Sequence, residues 1–148
     1  MNERQQFVTD ENLRVFTMKN YFVDSRHKKV HWNWAAFFLT SFWLFYRKMY
    51  LLGFVYSIFT ILVQYLIPSS WAVFIINWTV SILFGMFGNA MYLKYAEKKI
   101  SRICETYADD SARIPEFYDQ GGTNLRAAIL IPLGIGIIHY VIFQVFLA

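Results

Sequence analysis

A single cysteine, Cys104, stands in a chain of 148 residues, which excludes an intramolecular disulfide and any metal site built on cysteine pairs. Charge is scarce too: Asp, Glu, Lys and Arg make up 16% of the residues, where soluble domains carry about 25%. The shortage is uneven. Met49 to Ile67 and Trp71 to Leu93 hold no charged side chain, and Ala127 to Ala148 holds only His139 as a basic candidate. No carboxylate occurs in any of the three stretches, which weakens a proton-pump or cation-coupled transport reading. The opening M-N-E-R-Q-Q-F-V-T-D-E-N lacks an apolar core and a small-residue cleavage site, so the N-terminus is expected to stay in the cytoplasm. No internal repeat and no low-complexity segment is found.

What fills the chain instead is apolar: 57% hydrophobic and 20% aromatic residues, above the roughly 45–50% apolar share of soluble domains. Each of the three uncharged stretches is long enough for a helix to cross a hydrocarbon core about 30 Å thick. Pro68-Ser69-Ser70 is the whole connection between the first two, so they are expected to form an antiparallel hairpin. Arg26, Lys28, Lys29, Arg47 and Lys48 precede the first stretch. Lys94, Lys98, Lys99, Arg102, Arg113 and Arg126 lie between the second and third, while the Pro68 turn and the C-terminal end carry no cation. Basic residues mark the cytoplasmic side, which places the N-terminus inside and the C-terminus outside. The net charge of +4 therefore reads as topology and attraction to anionic lipids, and nucleic acid is not implied.

The segment H-W-N-W-A-A-F-F-L-T-S-F-W-L-F-Y-R-K-M-Y, His31 to Tyr50, contains a 15-residue apolar and aromatic run, Trp32 to Tyr46, too short to span. Trp and Tyr favour the lipid headgroup level, so Trp32, Asn33, Trp34, Trp43, Tyr46, Arg47, Lys48 and Tyr50 read as a membrane-interface motif on a surface-lying or re-entrant helix. Upstream, Thr9 or Asp10 is expected to cap a short helix with Leu13, Phe16 and Asn20 to Tyr21 on one face. Past the second stretch, Leu93, Ala96, Ile100, Ile103 and Tyr107 recur three or four apart, so the helix is expected to run on as an amphipathic stalk, basic near the membrane and acidic at Glu105, Asp109 and Asp110. Gly121-Gly122 breaks the chain before Thr123 or Asn124 caps the last span.

Small and polar residues form rows. Gly53, Ser57, Thr60 and Gln64 recur at four, three and four, and Asn77, Ser81, Gly85 and Gly88-Asn89 do the same, as expected of packing faces between helices in lipid. At 1.5 Å rise per residue, Gln64, His139 and Gln144 lie about 22, 18 and 25 Å from the cytoplasmic start of their spans, and Asn77 about 9 Å from the outer end of its own. All four fall in the outer half. One reading makes His139 and the three amides a polar path or headgroup site; the other has His139 satisfied by Tyr140, a carbonyl or an amide as glue between helices.

Signs of catalysis are sparse. His27 and His31, in H-K-K-V-H, lack the glutamate of a helical zinc-protease motif. Cys104 has no base near it and reads as a small packing residue. Glu105, Asp109 and Asp110 read as a solvated helix end, and Gly121 to Asn124 as a turn and cap before they read as an anion site. No catalytic residue, metal or cofactor is implied.

The residues N-W-A-A-F-F, Asn33 to Phe38, followed by F-W-L-F-Y-R-K-M-Y, Phe42 to Tyr50, resemble the signature of a known group, the small bacterial membrane proteins of the domain of unknown function 2628 family. The resemblance covers about Tyr21 to Lys99 and includes the later G-N-x-x-Y, Gly88 to Tyr92. Where that family usually carries Gly-Pro in the motif, this chain has Thr40-Ser41, which makes for a milder kink. The resemblance implies an integral inner-membrane location and supplies no activity or substrate.

The expected fold is therefore an all-α membrane protein. A cytoplasmic segment, 1–31, precedes a membrane domain, 32–148. Within that domain lie an interfacial helix at 33–46, spans at 49–67, 71–93 and 127–147, and a cytoplasmic stalk and loop at 94–126. The leading functional expectation is a non-enzymatic protein that binds a partner, as a homo-oligomer or an accessory subunit of another membrane protein. A transporter or channel subunit with its path at Gln64, Asn77, His139 and Gln144 comes second, and a lipid-active enzyme using His27, His31 or the acidic end third.

Overall fold

The computed structural model describes residues 7–26 and 32–146; His27, Lys28, Lys29 and His31 lie outside them. Among the described residues the chain is all-helical. In order the helices are α1 (Asp10–Thr17), α2 (Asn20–Arg26), α3 (Trp34–Phe38), α4 (Thr40–Tyr46), α5 (Tyr50–Leu66), α6 (Ser70–Thr106), α7 (Asp110–Gln120) and α8 (Leu125–Phe146). They fall into two compact units, Met1–Asn33 with Met86–Thr123, and Trp34–Gly85 with Asn124–Ala148.

The first unit is built around the inward face of α6. Leu93, Ala96, Ile100 and Ile103 are buried there, and so are Leu13 and Phe16 of α1 and Phe22 of α2. These residues lie three or four apart on their own helices, so each helix contributes one apolar stripe to a shared core. Thr9 caps α1, its hydroxyl accepting from the amide of Asn12 at 3.1 Å. The Phe16 ring meets Phe117 of α7 edge-on at 6.3 Å between centroids, and the carbonyl of Phe16 accepts from the amide of Gly122 at 2.7 Å. The expected stalk is thus one side of a helical cluster, and α7, rather than a loop, follows it. Arg113 of α7 ties down the turn that follows α6: Nε donates to the carbonyl of Tyr107 at 2.7 Å and Nη2 to that of Ala108 at 3.0 Å.

The second unit holds the aromatic motif. The single helix expected over 33–46 is two, α3 and α4, parted at Leu39 (φ −123°, ψ 42°). Hydrogen bonds are carried across the break: Leu39 donates to Ala35 at 2.9 Å, and the hydroxyl of the buried Thr40 donates to the carbonyl of Ala36 at 2.8 Å. α4 packs against both α5 and α8. Gly53 makes the first contact possible, since a Cβ there would lie 2.8 Å from Phe45 Cζ. Asn124 serves the second: its amide donates to the carbonyl of Tyr46 at 2.9 Å, while its Oδ1 accepts from Ala127 and caps α8.

Two helices are long and apolar enough to cross a membrane: α6, and the apolar stretch ending at Val145, which the Gly121-Gly122 break confines to α8. In their most apolar windows only 11% and 6% of residues are buried within the protein. α5, with 17 residues, is a shorter apolar helix.

Candidate functional site

The aromatic motif divides by burial. Trp34 is 63% exposed and stacks on Phe38 at 5.7 Å, and Phe38 and Leu39 are exposed beside it. Trp43, Leu44 and Phe45 are buried, because α5 and α8 close over that end of the motif. Arg47 is buried within the protein, 6% exposed, with its guanidinium 5.5 Å from the Tyr46 ring centroid. Lys48 takes a left-handed conformation (φ 57°) that turns the chain from α4 into α5. Tyr46 and Tyr50 are half-buried, and the Tyr50 hydroxyl accepts from Asn124 Nδ2 at 3.1 Å. Trp32 is half-buried.

Asn33 belongs to a different arrangement. Its Nδ2 donates to Asn89 Oδ1 at 2.8 Å, and Asn89 Nδ2 donates to the Tyr21 hydroxyl at 3.0 Å. Asn89 is 3% exposed, and one turn further along α6 the Tyr92 ring packs on Phe22 at 4.7 Å. Asn33 and Asn89, 56 residues apart in the chain, are therefore joined by a part-buried amide pair. Sequence spacing placed Asn89 in a row of small packing residues; its longer reach makes it a polar clasp instead.

Of the four polar residues expected to gather within the apolar helices, the structure brings together three. Gln64 of α5, Asn77 of α6 and His139 of α8 line one open-sided cleft of about 310 Å³, with Ser57 and Thr60 on its wall. Gln144 is exposed outside it, because five residues at 100° each carry it away from the face of His139. Asn77 also lines a smaller recess of about 170 Å³ with Phe37, Phe38, Trp78 and Ser81. The Ser57 and Thr60 hydroxyls are already engaged, donating to the carbonyls of Gly53 and Ser57 at 2.9 Å each. Asn77 Oδ1 and His139 Nε2 are buried atoms with no hydrogen-bond partner. Tyr140, the neighbour expected to satisfy His139, is 62% exposed; the ring packed against the imidazole is Tyr65, edge-on at 5.5 Å.

The packing rows are likewise redistributed. Gly53 meets the Phe45 ring of α4, Ser57, Thr60 and Gln64 face the cleft, and Ser81 lines the recess; Gly85 and Gly88 are buried. Two of these partners escape a reading by periodicity. Phe45 and Tyr65 pass as ordinary apolar positions, and only their rings' reach across helices reveals the fit. Cys104 is buried, and burial pushes its thiol above the usual range. Among the described residues no group of three or more His, Cys, Asp or Glu side chains converges on a metal-sized space.

Fold and site together define an all-helical protein with two membrane-length apolar helices and a polar cleft between helices. The family described as "Protein of unknown function (DUF2628)" matches residues 3–98, more than half of the chain, and the chain belongs to that family. The match takes in α1 and the whole of the Asn33–Asn89 clasp, and leaves out α7 and α8 with His139. Neither a search of curated proteins nor one of solved structures finds a match.

Proposed function

We propose that this chain is a non-enzymatic integral protein of the bacterial inner membrane that binds a protein partner, either further copies of itself or another membrane protein to which it is accessory. One observation carries the reading: the most apolar windows of α6 and α8 bury only 11% and 6% of their residues within the protein. On α8, Leu130, Ile137, Ile138 and Val145 are each more than 60% exposed, and Leu51, Leu66 and Trp71 more than 70%. Apolar surface of that extent needs lipid or protein against it. In this reading α5 is a third crossing: its 17 residues reach about 26 Å, the lower end of what a bilayer accepts, with Met49 and Ile67 extending it. The flanking cations support a reading with the N-terminus in the cytoplasm and the C-terminus outside, and with attraction to anionic lipid. The partner would meet the solvated face of α6, where Lys94, Lys98 and Arg102 border a groove. Purification in mild detergent should bring down a second chain or a defined oligomer, and Lys94→Glu with Lys98→Glu and Arg102→Glu should release it. A lone monomer from native membranes would contradict the proposal.

A second reading has the cleft as part of a path for a small polar solute or a proton, favoured by the meeting of Gln64, Asn77 and His139. In liposomes with an entrapped pH dye, His139→Ala should then alter the rate of proton entry; an unchanged rate in a folded variant removes this reading.

A further inference from the structure

The cleft and its neighbouring recess share Asn77, and the two spaces differ in chemistry. The cleft offers polar atoms: Asn77 Oδ1, which can only accept a hydrogen bond, and His139 Nε2, both buried and unpartnered. Atoms so placed are costly unless something supplies the missing bond, and Asn77 Oδ1 requires a donor. No Asp, Glu, Lys or Arg lines the cleft. An ionised ligand would meet no counter-charge there, so the lining favours an uncharged ligand. The recess, walled by Phe37, Phe38 and Trp78, suits hydrocarbon. At about 310 Å³ the cleft holds a group of several heavy atoms, the lower end of small-molecule sites.

The geometry points to a site for an uncharged, hydroxyl-bearing lipid of the diacylglycerol kind, its hydroxyl donating to Asn77 Oδ1 and meeting His139 Nε2, its chains running over the aromatic recess. The site extends the membrane reading above and rests on the second unit being in the bilayer. It is independent of which protein partner the chain binds. His139, on α8, lies outside the residues that the family matches, whereas Gln64 and Asn77 lie within them.

Gly136 provides a clean probe. It lines the cleft, and a Cβ added there meets nothing within 4 Å, so the backbone accepts a side chain and Gly136→Leu adds bulk at the cleft wall. The full chain in phosphatidylcholine nanodiscs would be labelled with a photoactivatable diacylglycerol, the labelled peptides mapped, and unlabelled competitors added. The expected result is saturable labelling on α5, α6 and α8, competed by diacylglycerol and at least tenfold less well by its O-methyl ether, by phosphatidic acid or by free glycerol. Asn77→Leu, His139→Leu and Gly136→Leu should each weaken it at least fivefold with helix content unchanged. Labelling that does not saturate, equal competition by the O-methyl ether, or native labelling of the folded Gly136→Leu variant would overturn the assignment. Resistance of the same chain to alkaline carbonate extraction is scored alongside. Loss of labelling in a membrane-resident chain then refutes the site alone, and extraction into the soluble fraction refutes the membrane reading.

Discussion

Gly121 occupies a point where two backbones meet: a Cβ there would collide with the carbonyl oxygens of Phe16 and Phe117. Backbone cannot retreat as a side-chain tip can, so Gly121→Ala is expected to destabilise the α1–α7 contact by about 3 kcal/mol, the upper end of overpacking costs. Gly134→Ala on α8 meets nothing within 4 Å and should be neutral or slightly stabilising. Thermal unfolding followed by circular dichroism checks the pair, and equal melting temperatures would contradict it. Cys104 makes a second residue-level prediction. Its thiol is held above the ordinary value, first by burial, then modulated by Arg113, which lowers it, and Asp110, which raises it. The folded state thus keeps its proton where the unfolded chain releases it, so this contribution to stability is complete below the unfolded thiol's value and is lost as pH rises through the folded one. Between pH 8 and 9 a maleimide should modify native Cys104 far more slowly than the denatured chain; equal rates would show the thiol to be accessible.

The helices α1, α5, α6 and α8 were legible from the sequence because each repeats a simple period. Thr9, Leu13 and Phe16 announce α1 by cap and stripe, but the stripe expected to run on to Asn20 and Tyr21 is cut at Met18, whose left-handed φ of 54° parts α1 from α2; the uncharged stretches announce α5, α8 and the first half of α6. The break at Leu39 was not legible, since W-A-A-F-F-L-T-S-F-W carries no Gly or Pro to mark it and Thr40 mends the ladder through its own hydroxyl. Nor was the clasp, because nothing in the spacing of Asn33 and Asn89 says that 56 residues of chain return one amide to the other. The clasp yields a prediction. Asn89→Leu leaves Asn33 Nδ2 without its acceptor and Tyr21 without its donor, and should cost about 1–3 kcal/mol, read as a lower unfolding midpoint of the first unit. Arg113 ties the end of α6 to the turn that follows, and its 2.7 Å ion pair with Asp110 is largely solvent-exposed on the acid side. Arg113→Met should therefore act through the lost carbonyl bonds to Tyr107 and Ala108, costing about 1–2 kcal/mol with little dependence on salt. A loss that vanished in high salt would assign the effect to the ion pair instead.

For the molecule as a whole, the three gathered polar residues show how far pattern reaches. Depth along each expected span grouped Gln64, Asn77, His139 and Gln144; the structure brings the first three to one cleft, and Gln144 lies outside it because rotation about α8 is not legible from depth. Membrane residence is the claim on which partner, path and lipid site all rest, and the turn at Ser69 and the start of α7 at Ser111 lie at its opposite ends in the proposed topology. The most direct measurement is labelling of single cysteines, Ser69→Cys and Ser111→Cys, each in a Cys104→Ala background, with a maleimide that does not cross membranes. The account predicts that Ser69→Cys is labelled from outside once the outer envelope is opened, and Ser111→Cys only after the inner membrane is permeabilised. Labelling of both only after permeabilisation, or of both before it, would contradict a chain whose α6 crosses the bilayer.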